Sequence, residues 1–213
     1  MQIDCGIIDI SISNKKNILQ ACKKVGLEAK LVDDPKKIEN FNSIIFPGNG
    51  SFSEAMKILN QKNYIENIKK HISNGKIFLG ICLGMQILFE KSNERGIVTK
   101  GMGLLDGEVK EVKKNNYDKV NIPVIGWLPF NKKKDIYIDK KFLTRFEKNT
   151  PMYFNNSCSV ETSNKKYNIY YTQYNELIFC SAITHENIIL TQFHPELSSK
   201  NGLKVFEFLK EKI

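Results

Sequence analysis

Residues 76–90 read Lys-Ile-Phe-Leu-Gly-Ile-Cys-Leu-Gly-Met-Gln-Ile-Leu-Phe-Glu, an apolar strand that runs through Gly-x-Cys-x-Gly into an amphipathic helical pattern. A sharp turn of this kind strains its central residue, and Gly80 and Gly84 remove side chains that would collide with it. Cys82 would stand at a helix N-terminus, where backbone N–H groups and the helix dipole favour a thiolate. The stretch predicts a nucleophile elbow, although most free cysteines are small apolar core residues.

A cysteine nucleophile needs a base, and the chain has three histidines. His71 is expected on a polar helix end, and His185 in a solvent-exposed hairpin turn. His194 instead ends an apolar strand and is followed by a proline and Glu196, so imidazole and carboxylate leave the strand together. A carboxylate there can orient the ring and leave its other nitrogen free to take the thiol proton. We therefore predict Cys82, His194 and Glu196 as nucleophile, base and orienting group.

Ile-Ile-Phe-Pro-Gly-Asn-Gly at 44–50 reads as a strand that ends at a glycine-rich loop. A tetrahedral intermediate needs backbone N–H donors for its oxyanion, and the elbow supplies one from Leu83. The second donor usually lies in a loop beyond a neighbouring parallel strand, which predicts that role for Gly48, Asn49 and Gly50. Taken alone, this loop is more typical of an ordinary turn.

Together these stretches resemble the class I, or triad, glutamine amidotransferases. The resemblance rests on Pro-Gly-Asn-Gly at 47–50, Gly-Ile-Cys-Leu-Gly-Met-Gln at 80–86 and Gln-Phe-His-Pro-Glu at 192–196. Further matches extend it over nearly the whole chain to the glutaminase subunits of imidazole glycerol phosphate synthase, from histidine biosynthesis. They are Gly-Ser-Phe-x-Glu-Ala-Met at 50–56, Gly-Met-Gly-Leu-Leu-Asp-Gly-Glu-Val at 101–109, Gly-Trp at 126–127, Met-Tyr-Phe at 152–154 and Ser-Ser-Lys-x-Gly-Leu-Lys at 198–204.

The resemblance implies a flavodoxin-like α/β fold and a single domain over residues 1–213. It implies that Cys82 attacks the side-chain amide of L-glutamine, forms a glutamyl thioester and releases ammonia. A cyclase or synthase subunit, bound as a heterodimer, would consume that ammonia through an internal tunnel. The resemblance also assigns glutamine binding to Gln86, Ser157 and Cys158. We expect no cofactor and no metal.

The periodicity of the chain predicts the same fold class independently. Strands are predicted at 4–10, 28–32 and 42–46 and helices at 14–25, 53–59 and 64–72, before the elbow. This βαβ alternation indicates a mostly parallel sheet with helices on both faces and the site at the carboxyl ends of its strands. Later runs at 108–112, 153–160, 168–171 and 177–182 predict an antiparallel β extension, followed by a strand at 188–193 and a closing helix at 203–209.

The composition of the chain limits the kinds of partner that we expect and indicates its cellular compartment. The 213 residues include 32 Lys and Arg against 23 Asp and Glu, a formal charge of +9. The lysines form small clusters in Asn-rich stretches without interleaved aromatics, which indicates a solvated surface and no nucleic-acid partner. Five scattered cysteines without a Cys-x-x-Cys pair indicate reduced thiols and no metal site. No signal peptide or bilayer-spanning stretch is recognisable, so we expect a soluble, cytoplasmic protein without a membrane partner.

The chain also departs from the family's usual sequence around the site. Ser11 replaces a glycine, Asn49 a valine, Val124 and Asn156 each a histidine, and Leu197 a lysine. The resemblance implies that this lysine faces the synthase and helps to close the interface. Leu197 therefore leaves open which partner and which ammonia acceptor this chain serves, and whether the changes mark a paralogue or drift in one lineage.

Three functions follow from these observations. The first is an ammonia-producing glutaminase subunit, serving a histidine-pathway cyclase or a different synthase such as one that amidinates surface sugars. The second is a stand-alone Cys-elbow hydrolase, such as a γ-glutamyl peptidase, and the third is a non-catalytic binding subunit. Gln86 and the motif at 198–204 favour the first over the second, and the intact Cys82, His194 and Glu196 argue against the third.

Overall fold

The structure is a computed structural model that describes residues 3–10, 15–112, 120–130, 142 and 144–213. Ser11 and residue 14, the predicted start of the first helix, lie outside this part of the chain. The strands are β1 (Ile3–Ile8), β2 (Ala29–Val32), β3 (Phe41–Phe46), β4 (Ile77–Ile81), β5 (Lys91–Ser92), β6 (Thr99–Lys100), β7 (Glu108–Glu111), β8 (Val124–Phe130), β9 (Thr150–Asn156), β10 (Cys158–Glu161), β11 (Asn168–Tyr174), β12 (Leu177–His185) and β13 (Ile188–Thr191). The helices are α1 (Lys15–Val25), α2 (Phe52–Gln61), α3 (Tyr64–Ser73), α4 (Leu83–Gln86) and α5 (Ser199–Lys212), with 3₁₀ segments at Pro35–Asn40, Glu94–Gly96 and Pro195–Leu197.

The central sheet has seven strands in the order β11-β12-β13-β4-β3-β1-β2. Strands β2, β1, β3, β4 and β13 run parallel, whereas β12 and β11 extend the sheet antiparallel at one edge. A smaller sheet contains β10, β7, β5 and β6, and β8 pairs with β9 as a separate ribbon. This arrangement confirms the predicted α/β class, with a mostly parallel central sheet and an antiparallel extension.

Both faces of the central sheet are buried, which explains why its inner strands are apolar at successive positions. In β3, Ile44 and Phe46 pack with side chains of α2 and α3, while Ile45 belongs to the cluster on the opposite face. That second cluster contains buried side chains of α1 and α5. Because successive strand residues point to opposite faces, each inner strand contributes to both halves of the core.

The order of the parallel strands determines where a site can form. Strands β3, β4 and β13 are direct neighbours in the sheet, so their carboxyl ends meet at one edge. The loop at 47–50 follows β3, Cys82 follows β4, and residues 192–194 follow β13. Open α/β sheets bind their ligands at this edge.

The helix after the elbow is shorter than the amphipathic pattern predicts. Helix α4 has four residues, and the chain then turns although Ile87 and Leu88 are fully buried. The carbonyl groups that a longer helix would use accept hydrogen bonds from another segment, such as the one from the Met102 N–H to the Ile87 carbonyl at 2.8 Å. Tertiary hydrogen bonds therefore replace the second helical turn.

Three other sequence expectations also need correction. His71 lies in the last turn of α3 but is buried and not solvent-facing, and His185 is half-buried at the end of β12, where its ring packs on Tyr167. The run predicted as one strand at 153–160 is divided at Ser157 into β9 and β10.

None of the helices in the described ranges is long and apolar enough to cross a membrane.

Candidate active site

Cys82 stands at a strained strand-to-helix turn. It follows β4 directly and has φ 49° and ψ −103°, which a non-glycine residue rarely adopts. Its N–H donates to the Thr191 carbonyl at 2.6 Å, and its carbonyl accepts from the N–H groups of Met85 and Gln86 at 3.0 and 3.2 Å. Such a conformation costs on the order of 1–3 kcal/mol and persists only where the surroundings enforce it. Here neighbouring β13 and the first turn of α4 do so.

The glycines around Cys82 allow its backbone to be closely surrounded. A Cβ atom on Gly48 would lie 2.1 Å from the Ile81 carbonyl oxygen and 2.5 Å from the Cys82 Cβ atom. A Cβ atom on Gly80 would lie 2.4 Å from the carbonyl oxygen of Gly84. The loop at 47–50 therefore packs directly on the turn that carries the cysteine, and no larger residue fits at Gly48 without moving it.

His194 and Glu196 form a buried pair. The Nδ1 atom of His194 lies 2.8 Å from the Oε1 atom of Glu196, and the two side chains are 3% and 5% exposed. The ring is anchored through the backbone as well, because the His194 N–H donates to the Tyr153 carbonyl at 2.8 Å. The Ser198 hydroxyl donates to the His194 carbonyl at 2.6 Å and accepts from the Tyr153 N–H at 3.0 Å.

The electrostatics of this pair favour a charged ring. Burial of His194 opposes its protonation, but interactions with Cys82 and then Glu196 outweigh burial and raise the pKa of His194 to about 10. The Nε2 atom is buried and has no hydrogen-bond partner among the described residues. Nδ1 is thus committed to the carboxylate, and Nε2 is the nitrogen available for proton exchange.

Besides the His194 ring, the sulfur of Cys82 has two polar neighbours. It lies 3.8 Å from the Asn155 carbonyl oxygen, to which a thiol would donate, and it accepts from Nε2 of Gln192 at 3.3 Å. Gln86 in turn donates from its Nε2 atom to Oε1 of Gln192 at 3.0 Å and to the Cys158 carbonyl at 3.4 Å. Gln192 is not among the site residues predicted from the sequence. A polar residue two positions before His194 in an apolar strand is the signal that indicates it.

A cleft of about 230 Å³ opens beside Cys82. It brings most of the predicted binding residues together with the cysteine, whereas Gly48 contacts the elbow from outside the lining, and neither His194 nor Glu196 lines it. The lining consists of Asn49, Gly50, Cys82, Leu83, Gln86, Glu94, Pro123, Asn155, Asn156, Ser157 and Cys158.

Glu94 is a lining residue that sequence reasoning missed. Its Oε2 atom accepts the Phe52 N–H at 2.8 Å, which fixes the carboxylate at the start of α2. It lies in a short 3₁₀ segment rather than at a strand end, and no motif in the sequence indicates it. Its placement depends on the tertiary contact between this segment and α2.

The five cysteines are all free and buried, but they differ chemically. Burial raises the pKa of Cys158 to about 12, and burial also raises the pKa values of Cys5 and Cys180 well above the ordinary thiol value. Those three thiols therefore remain protonated at neutral pH. Within the described ranges, no group of three or more His, Cys, Asp or Glu side chains is arranged to hold a metal ion.

Comparison with solved structures identifies the fold. A crystal structure of a glutamine amidotransferase superposes with a TM-score of 0.72 at 16% identity, covering 97% of this chain and 98% of that one. PurLQS from Thermotoga maritima gives a TM-score of 0.70 at 20% identity, covering 98% of each chain. At such identities the likeness concerns the fold alone.

Comparison of sequences is more specific. The imidazole glycerol phosphate synthase subunit HisH of Caldanaerobacter subterraneus subsp. tengcongensis is 39% identical over 208 residues, 98% of each chain. The subunit of the same name from Aquifex aeolicus is 37% identical over 97% of this chain and 95% of its own length. The family model for class-I glutamine amidotransferases matches residues 6–211. The chain therefore belongs to the class-I glutamine amidotransferase family.

Proposed function

We propose that the chain is the glutaminase subunit of an imidazole glycerol phosphate synthase. It hydrolyses L-glutamine to L-glutamate and ammonia and delivers the ammonia to a cyclase subunit with which it forms a heterodimer. The observation that carries this proposal is the strained Cys82 at the mouth of a cleft, with the buried His194–Glu196 pair as its proton acceptor. The names of the relatives supply the synthase and the subunit.

The first half of the reaction forms a thioester. Cys82 gives its proton to Nε2 of His194, and the sulfur attacks the side-chain amide carbon of glutamine. The electron pair of the C=O bond moves to the oxygen, which accepts the Leu83 N–H, a group without a partner inside α4 because Leu83 is its first residue. A second N–H comes from the loop at 48–50, which contacts the elbow.

The second half releases ammonia and then glutamate. The imidazolium of His194 protonates the amide nitrogen, the C–N bond breaks, and ammonia leaves a glutamyl thioester on Cys82. His194 next takes a proton from water, and the resulting hydroxide attacks the thioester carbonyl. Collapse of that intermediate breaks the C–S bond, and the sulfur recovers its proton from His194. Glu196 holds the ring and stabilises its charge at both stages.

The cleft supplies groups that suit the rest of the glutamine molecule. We assign Gln86, whose carboxamide is held by two hydrogen bonds, and the β9–β10 turn at Ser157 and Cys158 to substrate binding. The Glu94 carboxylate suits the α-ammonium group, since a cation gains from an acceptor at a partly desolvated site. Asn49 lines the same cleft beside the oxyanion loop.

An exposed apolar surface next to the pair suits the cyclase. Ile125 and Trp127 of β8 are 61% and 51% exposed, and Leu197 is 38% exposed. The Trp127 ring packs edge-on against Tyr153 at 5.9 Å between centroids, and the Tyr153 carbonyl accepts the His194 N–H. The Leu197 N–H donates to the His194 carbonyl at 3.1 Å. A partner that covers this surface would touch both backbone neighbours of the base.

We propose one domain over residues 1–213, supported by a family match over residues 6–211. We also propose a cytoplasmic location, because five free, buried cysteines suit a reducing compartment.

Ammonia release from glutamine tests the proposal. It is measured for the purified chain alone, with the histidine-pathway cyclase of the same organism, and with the synthase encoded nearest to this chain, each partner loaded with its substrate. We expect the isolated chain to be slower by at least about 10²–10³, the cost of one missing oxyanion donor, and the cyclase to restore the rate. The physical reason is that an N–H of the loop at 47–50, the second oxyanion donor, is directed at the oxyanion only when the partner is bound.

Each other result identifies a different function. Full activity without any partner would contradict the subunit role and support a stand-alone hydrolase. Activation by another synthase alone would support a paralogue, the alternative that Leu197 leaves open because it replaces the lysine implied by the family. No turnover with any partner would support a non-catalytic binding subunit.

A further inference from the structure

Gln192 is a fully buried carboxamide that lies outside the triad. Its Nε2 atom lies 3.3 Å from the Cys82 sulfur, and its Oε1 atom lies 3.0 Å from Nε2 of Gln86. Its backbone N–H donates to the Ser181 carbonyl at 2.8 Å, which anchors it to β12. We propose, on the basis of the proposed glutaminase function, that Gln192 is a further catalytic residue, whose amide N–H stabilises the Cys82 thiolate and ties the nucleophile to the glutamine-holding Gln86.

One carbonyl group fixes the orientation of both carboxamides. The Cys158 carbonyl can only accept, so the Gln86 atom that faces it at 3.4 Å is the nitrogen. That nitrogen can only donate, so the atom of Gln192 that faces it is the oxygen. The other end of the Gln192 carboxamide is then its nitrogen. An N–H donor, not an oxygen, is therefore directed at the sulfur.

Besides His194, the Asn155 carbonyl and the Gln192 amide face the sulfur, and these two groups act in opposite directions. The Asn155 carbonyl accepts only from a protonated thiol and favours that form. The Gln192 N–H favours the thiolate, because a hydrogen bond to the charged form of an acid lowers its pKa, and a charged acceptor strengthens the bond about twofold. When Cys82 gives its proton to His194, the bond to Asn155 is lost and the bond from Gln192 remains.

A purely structural role for Gln192 would be to satisfy the buried amide of Gln86. The two roles differ in their consequence for Cys82. A residue that only satisfies the Gln86 amide affects substrate binding and folding, whereas a donor to the sulfur also changes how fast Cys82 reacts with an electrophile. Ionisation of Cys82 can be followed without glutamine and without a partner.

The experiment is the pH dependence of Cys82 alkylation by iodoacetamide in the full chain, followed by peptide mass spectrometry, with the Cys158 peptide as internal reference. Gln192→Met keeps the side-chain length but removes the donor. We expect it to slow alkylation of Cys82 about tenfold at neutral pH, because the thiolate loses a hydrogen-bond donor. Gln192→Glu should shift the profile further, because a carboxylate would face the sulfur. Ser181→Ala, which alters a neighbouring buried side chain, should leave the profile unchanged.

The outcomes separate this role from the proposed function. Unchanged profiles in folded Gln192→Met and Gln192→Glu variants would overturn the role of Gln192. If the Met variant does not fold, the nearly isosteric Glu variant decides alone. The expected shifts in a chain that releases no ammonia with any synthase would contradict the glutaminase function while leaving the thiolate contact established.

Discussion

The Nδ1 atom of His194 lies 2.8 Å from the Oε1 atom of Glu196, and the backbone positions of the two residues are separated by a single proline. The chain contains a second adjacent pair for comparison. Nε2 of His185 and Oε1 of Glu186 are 3.9 Å apart, and the Glu186 side chain is 77% exposed. An exposed pair at this distance contributes little, whereas the buried carboxylate orients the ring and stabilises its charge.

Glu196→Gln should slow thioester formation while keeping the fold. An amide cannot stabilise the imidazolium that forms on His194, and the matching change in the serine triad costs about 10⁴ in turnover. We expect a smaller loss here because a cysteine thiol ionises more easily. Single-turnover thioester formation in the complex with the synthase measures it. Glu186→Gln is the matched control and should leave the rate unchanged. If Glu196→Gln forms the thioester at a rate within about twofold of wild type, Glu196 does not orient the His194 ring.

The sequence predicted those parts of the site that local backbone rules determine. The elbow at Cys82 needs glycines at fixed offsets, so it is readable from a short stretch. The strand predicted over 188–193 is shorter than expected, because β13 already ends at Thr191. The parallel sheet was readable as well, because buried strands such as β4 have continuous apolar runs.

The rest depends on contacts between distant segments. The side chain of Gln192 acquires its partners from α4 and from Cys82 just before it, and Glu94 reaches the cleft only because it binds the start of α2. Helix α4 ends after four residues because the N–H groups of residues 101–104 donate to the carbonyl groups of residues 87–90, which belong to the turn that would follow. The two lysines before His71 predict a polar helix surface, but the position of His71 in α3 places its side chain in the core. No periodicity in a single stretch carries this information.

His71 should make the fold sensitive to acid. Burial lowers its pKa to about 4, although the hydrogen bond between Nε2 and the Ile77 carbonyl acts in the opposite direction. The unfolded chain, with a histidine pKa near 6.5, then binds more protons than the folded chain as the pH falls from about 6.5 to 4. Stability is therefore lost as the pH falls through this window, by up to about 3 kcal/mol in total.

Urea unfolding at several pH values measures this effect. His71→Gln keeps a side-chain donor for the Ile77 carbonyl but cannot titrate, so its stability should fall less steeply with acid, by about 1.4 kcal/mol per pH unit within the window. His185→Gln is the control and should follow the wild-type slope. Equal slopes for wild type and His71→Gln would show that His71 is protonated in the folded chain.

Gly48→Ala should damage activity more than stability. The new methyl group would lie 2.1 Å from the Ile81 carbonyl oxygen, so the loop at 47–50 must move away from the elbow. If that loop supplies an oxyanion donor, turnover should fall by about 10²–10³. Gly75→Ala is a useful control because it strains a turn with φ 76° at the end of α3, where a Cβ atom has open space. We expect Gly48→Ala and Gly75→Ala to lower the melting temperature by similar amounts, but only Gly48→Ala to lower turnover. Normal turnover in Gly48→Ala would rule out a role for the loop.

Trp127→Ala should weaken binding of the cyclase. Trp127 is a large, half-exposed ring that is held by Tyr153 next to the backbone of His194, and buried aromatic anchors of this kind commonly contribute at least about 2 kcal/mol at an interface. That energy corresponds to about a 30-fold increase in Kd, measurable by calorimetric titration.

Ile178→Ala, which removes an equally exposed apolar side chain from β12, should bind as wild type does. Alkylation of Cys82 in the free Trp127→Ala chain should be normal, since the hydrogen bonds of the sulfur are to Asn155 and Gln192. A Kd within twofold of wild type would mean that the synthase docks elsewhere, and activation by the partner would then need a different route to His194.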